Sequence, residues 1–113
     1  MIQSVEQFWF EHQAWSQATF GTDAARGPLG ALKHLEKEAR EAQVEVQCGT
    51  KEDLHEEIAD CLFLTFDAAR RSGMTLVDLM EQCFAKLAKN RLRVWGPPTN
   101  SDEPIEHVRG IHD

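Results

Sequence analysis

The sequence predicts an all-α fold, a small bundle of four helices, and three observations carry that expectation. Helix-start signatures recur along the chain, at Ser4-x-x-Gln7, Thr50-x-x-Asp53 and Thr75-x-x-Asp78. Apolar residues between them repeat at three- and four-residue spacing, the period of a helix buried along one side. Alternating strand patterns are weak throughout. Short links between such segments make neighbouring helices bury their stripes against one another.

The first helix is expected from about Val5 to Thr19. Ser4 and Gln7 form a capping box, each side chain answering a backbone amide the helix leaves unpaired. The stripe Val5, Phe8, Trp9, His12 and Trp15 follows. Gly21 to Gly27 reads as a loop. Pro28 suits the first turn of a second helix, because its missing N–H has no partner to lose there. Leu29, Leu32, Leu35, Ala39, Ala42 and Val46 make that helix's stripe, and Gly49 is its candidate C-cap. Thr50 opens the third helix, which runs to Gly73. Its middle, Ile58 to Ala69, is nearly all apolar, broken only by Asp60, Thr65 and Asp67. Such a helix is central in its bundle or lies in a subunit interface, so a homodimer or homotetramer is expected. Thr75 opens the fourth, with Leu76, Leu79, Met80, Cys83, Leu87 and Val94 on one side, and Trp95-Gly96-Pro97-Pro98 stops it. Residues 1–96 then form a helical catalytic domain. Residues 97–113 form an irregular tail, whose segment Ile105–Arg109 is expected to close over a substrate.

Bulk properties narrow the function. A chain of 113 residues supports one domain. Its formal net charge of −7 repels nucleic-acid backbones and anionic membranes, yet admits a small phosphorylated substrate when a divalent metal bridges the two. No apolar run is long enough to span a bilayer, and the N-terminus lacks the basic and apolar regions of a signal peptide. A soluble cytoplasmic protein is expected. The three cysteines include no Cys-x-x-Cys, which argues against a disulfide framework or a zinc knuckle.

The candidate chemistry lies in acids. At about 100° per residue, His34, Glu38, Glu41 and Glu45 share one face of the second helix, while Lys33, Lys37 and Arg40 lie on the other side. Asp53, Glu57, Asp60 and Asp67 share a face of the third. Glu38-x-x-Glu41 and Glu57-x-x-Asp60 therefore meet if the two helices are antiparallel. Asp60 stands among Ile58, Ala59, Cys61, Leu62, Phe63 and Leu64, where burial is expected and an unpaired carboxylate costs several kcal/mol. Three further carboxylates nearby rule out a simple salt bridge and favour a divalent cation. Ligation by oxygen alone points to Mg²⁺ or Mn²⁺. A di-iron bundle needs two Glu-x-x-His pairs, and only Glu52-x-x-His55 is present.

A second group is cationic. Lys86, Lys89, Asn90 and Arg93 share a stripe on the fourth helix, suited to a polyphosphate. Cations there also complement the helix dipole, which leaves Asn90 unexplained. Trp15 and His12 carry polar atoms on an apolar face and are candidates for contact with a nucleobase.

Glu38-x-x-Glu41, fifteen intervening residues and Glu57-x-x-Asp60 resemble the metal motif of all-α MazG-like nucleoside triphosphate pyrophosphatases. That pattern often carries a further acid where Lys37 stands here. A closer resemblance covers nearly the whole chain: Trp15-Ser16, Thr19-Phe20-Gly21, Gly27-Pro28-Leu29-Gly30-Ala31-Leu32-Lys33-His34-Leu35, Lys86-Leu87-Ala88-Lys89-Asn90-Arg91 and Pro104-Ile105-Glu106-His107-Val108-Arg109 look like the dATP/dGTP pyrophosphohydrolase (MazZ-like) branch. The resemblance implies purine deoxynucleoside triphosphates as substrates and Mg²⁺ as cofactor. It also implies, for phage members, removal of dATP and supply of dGMP where 2-aminoadenine replaces adenine. The alternatives are a pyrimidine-selective dUTP or dCTP pyrophosphatase and a non-enzymatic helical interaction module whose acids are surface charge.

Overall fold

The computed structural model describes residues 4–110, and among these the fold is four α-helices without a β-strand. Helix α1 spans Val5–Phe20, α2 Leu29–Cys48, α3 Lys51–Arg71 and α4 Leu76–Leu92, with a short 3-10 turn at Asp23–Ala25. Two of the expected starts carry their side-chain caps. Ser4 Oγ accepts from the Gln7 amide at 3.0 Å, and Thr50 Oγ1 accepts from the Asp53 amide at 3.1 Å. Each hydroxyl satisfies one of the amides a helix start leaves open. Gly49 stands at the C-cap of α2 with φ −104°, a conformation open to any residue. Gly73, by contrast, takes φ +94° just beyond α3, and the Met74 amide reaches back to the Ala69 carbonyl at 3.0 Å. Only the left-handed conformation that glycine tolerates turns the chain there.

Contacts group the chain into two compact units, one ending at Leu76 and one starting at Val77. In the first, the two-residue link Gly49-Thr50 folds α3 back along α2 as a helical hairpin, and α1 lies against α3. Aromatic rings fill that second seam. Trp9 meets Phe66 with centroids 4.9 Å apart, and Phe8 meets Phe63 at 5.3 Å. Trp9, Phe66, Ala31, Ala68 and Ala69 are buried. The small side chains allow close approach, and each large ring contributes about 1.5–3 kcal/mol by leaving water. The C-terminal half of α3 is thus central, as its apolar run predicts. Its N-terminal half is not, for Ile58 and Leu62 are 54% and 47% exposed.

The second unit comprises α4 and the chain after it. Residues 94–96 pair with 106–108 through an isolated antiparallel bridge, Trp95 to His107, with the Gly96 amide donating to the Glu106 carbonyl at 3.1 Å. No described helix is long and apolar enough to cross a membrane.

Candidate active site

The α2–α3 hairpin sets the acids. Because helix positions three or four apart share a face, Glu38 and Glu41 on α2 meet Glu57 on α3. One carboxylate oxygen from each lies within 4.8 Å of the others. Glu38 is pinned on its own helix, where Oε1 lies 3.0 Å from His34 Nε2, and its side chain is 13% exposed. Glu41 is more open and pairs loosely with Lys37 at 4.0 Å. Glu57 carries the strain of this crowding. Its carboxyl is raised above the ordinary glutamate range, chiefly by a hydrogen bond shared with Glu38, then by burial and the charges of Glu38 and Asp53. Its Oε2 is shielded from water and has no hydrogen-bond partner among the described residues. The same negative field reaches Cys61, whose thiol is pushed up by burial and then by Glu38, Glu57 and Asp60. Like charges held this close, with an oxygen left over, make a donor set that fits a divalent cation.

Asp60 stands one turn beyond Glu57. It lines a cleft together with Glu38 and lies outside the tight group of three. The expectation that Asp60 is buried does not hold. It is only partly covered, because its neighbours Ile58 and Leu62 face outward rather than close over it. The deeply buried acid on this face is Asp67 instead.

The cleft has a volume of about 140 Å³ and a mixed lining. Its lining includes the polar Glu38, His34 and Asp60 and the apolar Trp15, Phe20, Phe63 and Leu64. Trp15 is 52% exposed and stands edge-to-face against Phe20 at 5.4 Å. A half-bare indole in a cleft that also bears carboxylates suits a ligand flat at one end and anionic at the other.

Beneath the cleft runs a buried polar network whose partners the sequence did not disclose. Asp67 accepts from Ser16 Oγ at 2.6 Å and from the Arg70 guanidinium. Arg70 also donates to Asp23 Oδ2 at 3.1 Å and to His12 Nδ1 at 3.2 Å, and its guanidinium lies 5.3 Å from the Trp9 ring centre. Asp67-x-x-Arg70 is a legible pair, three apart on an otherwise apolar stretch. Ser16 and Asp23 are joined to it by tertiary packing alone.

The second unit holds the cationic residues. Lys86 is lowered from the ordinary lysine range, chiefly by the positive charge of Arg93, then by burial and Lys89. Asn90 has the hydrogen-bonding task its position called for: its side-chain oxygen accepts from Arg93 at 3.0 Å, and its backbone carbonyl accepts from the Trp95 indole at 2.8 Å. Asn90 thereby holds Arg93 near Lys86. Crowded cations of this kind are relieved by a polyanion.

Comparison with known proteins agrees with this chemistry. The family model of the dATP/dGTP pyrophosphohydrolases matches residues 8–113. A solved structure of a MazG-like pyrophosphohydrolase from cyanophage S-2L, bound to dGDP and three catalytic Mn²⁺ ions per active site, is similar with a TM-score of 0.67. It shares 29% identity over 96% of each chain. No curated protein matches.

Proposed function

The chain belongs to the dATP/dGTP pyrophosphohydrolase family and is a metal-dependent deoxynucleoside triphosphate pyrophosphohydrolase, and on that premise we propose that it cleaves purine deoxynucleoside triphosphates, dGTP and dATP, to the monophosphate and pyrophosphate with Mg²⁺, Mn²⁺ substituting. One observation supports this most: the crowded carboxylates Glu38, Glu41 and Glu57 open, through Glu38, onto the cleft walled by the half-exposed Trp15.

Glu38, Glu41, Glu57 and Asp60 would hold the metal, which when bound would supply charge neutralisation for the triphosphate and acidify a water. A carboxylate of the group orients the attacking water and takes its proton. The water oxygen bonds to the α-phosphorus, the bond from that phosphorus to the bridging oxygen breaks, and pyrophosphate leaves with the electron pair. Trp15 stacks on the purine, with Phe20 bracing it edge-on. Consumption of dATP and production of dGMP would serve a phage genome in which 2-aminoadenine replaces adenine.

Incubation with Mg²⁺ and each of the eight ribo- and deoxyribonucleoside triphosphates tests the proposal. Monophosphate and pyrophosphate should form fastest from dGTP and dATP. Preference for dUTP or dCTP would overturn the purine assignment, and no turnover with either metal would overturn the enzyme itself.

Trp15→Ala should raise KM for dGTP about tenfold with little change in kcat, since a base stack contributes about 1–3 kcal/mol and about 1.4 kcal/mol is a factor of ten. An unchanged KM and unchanged discrimination between dGTP and dCTP would remove Trp15 from the base site. We also propose that the bare apolar face of α3 at Ile58 and Leu62 is covered by a second copy of the chain. Light scattering at micromolar concentration should then give a dimer or tetramer, and a monomer would contradict it.

A further inference from the structure

His12 is 4% exposed, and its two ring nitrogens are in opposite situations. Nδ1 accepts from the Arg70 guanidinium at 3.2 Å. A guanidinium has donors only, so Nδ1 must present its lone pair and the proton must sit on Nε2. Arg70 is held in turn by Asp67 and Asp23, and Asp67 by Ser16. Burial lowers His12 below the ordinary histidine range, against the pull of Asp67, so the neutral ring persists at neutral pH. The network therefore fixes one tautomer with one N–H. That N–H has no partner: Nε2 is buried without an acceptor among the described residues. Buried donors are almost always satisfied. The His12 ring borders the same cleft as Trp15, 6.0 Å away centre to centre, with Phe63 at 4.9 Å and Phe8 stacked on it at 5.6 Å.

We propose that the His12 Nε2–H is a base-reading donor, reserved for N7 of a purine stacked on Trp15. This rests on the purine assignment above and deepens it. A donor serving both dGTP and dATP needs an acceptor that both bases present. O6 belongs to guanine alone, and N1 is an acceptor only in adenine. Purine N3 has a counterpart in the pyrimidine O2, so a contact there would not discriminate. N7 is shared by both purines and absent from every pyrimidine. His12 is thus a specificity residue, and Arg70, Asp67 and Ser16 are positioning residues that act through its tautomer.

The test uses the unaltered protein with 7-deaza-dGTP and 7-deaza-dATP, in which a C–H replaces N7. Each should show kcat/KM about tenfold below its parent nucleotide, the effect of one unmade buried hydrogen bond. His12→Phe should lose a similar factor on dGTP and no longer distinguish dGTP from its 7-deaza analogue. Nitrogen-15 NMR of the intact protein should show a neutral His12 protonated at Nε2, independently of any variant's stability. Equal turnover of dGTP and 7-deaza-dGTP by the wild type would overturn the role of His12 while leaving purine preference standing. A preference for dCTP over dGTP would overturn the purine assignment and this proposal with it.

Discussion

Glu57→Gln and Asp60→Asn should each lower dGTP turnover about 100- to 1,000-fold while the protein stays folded. A catalytic divalent ion contributes several kcal/mol of charge stabilisation, and each step of about 1.36 kcal/mol is a decade of rate. The Glu57 variant separates catalysis from folding, because Glu57 opposes the metal-free fold. Its raised carboxyl means the folded state binds more protons than the unfolded chain, so stability falls as pH rises from the unfolded value through the folded one. The Glu57→Gln substitution removes that loss. The metal-free variant should therefore melt at the wild-type temperature or higher at neutral pH, with a flatter pH dependence in the acidic range. Mg²⁺ or Mn²⁺ should raise the melting temperature of the wild type and not of the variant. Full activity in Asp60→Asn, or a wild type indifferent to both metals, would contradict the assignment of the acids.

Arg70→Met should produce the largest loss of stability, about 3–5 kcal/mol, because it leaves Asp67 as an uncompensated buried charge. The side chains of Arg70 and Asp67 are 2% and 4% exposed, and Ser16 alone cannot replace the guanidinium. Removing both charges costs less than removing one. Asp67→Leu combined with Arg70→Met should recover part of the loss, since an apolar pair of similar volume tolerates the site. Urea denaturation of the two single variants and the double variant closes the cycle. An Arg70→Met protein within about 1 kcal/mol of wild type would show that the network adds little to folding.

What the sequence disclosed follows the range of the interactions involved. Helix starts were legible because Ser4 and Thr50 act within three residues of themselves. The meeting of Glu38 and Glu41 with Glu57 was legible because helical period and a two-residue link leave little choice of face. Burial was harder to see. The apolar neighbours of Asp60 suggested a covered acid, yet adjacency along a helix places Ile58 and Leu62 on other sides of it, and both face outward. Asp67, in a similar apolar run, is the acid that went inside, because α1 covers that half of α3 and Ser16 and Arg70 were there to meet it. The links from Arg70 to Asp23 and His12, 47 and 58 residues away, leave no periodic trace. The pairing of residues 94–96 with 106–108 was hidden for the same reason.

Hydrolysis of dGTP in ¹⁸O-labelled water with Mg²⁺ tests the central claim most directly. Attack at the α-phosphorus places the label in dGMP and leaves pyrophosphate unlabelled, which is the result expected. Label in pyrophosphate, or products of dGDP and phosphate, would mean that the water reaches a different phosphorus and that the carboxylates of α2 and α3 perform another reaction.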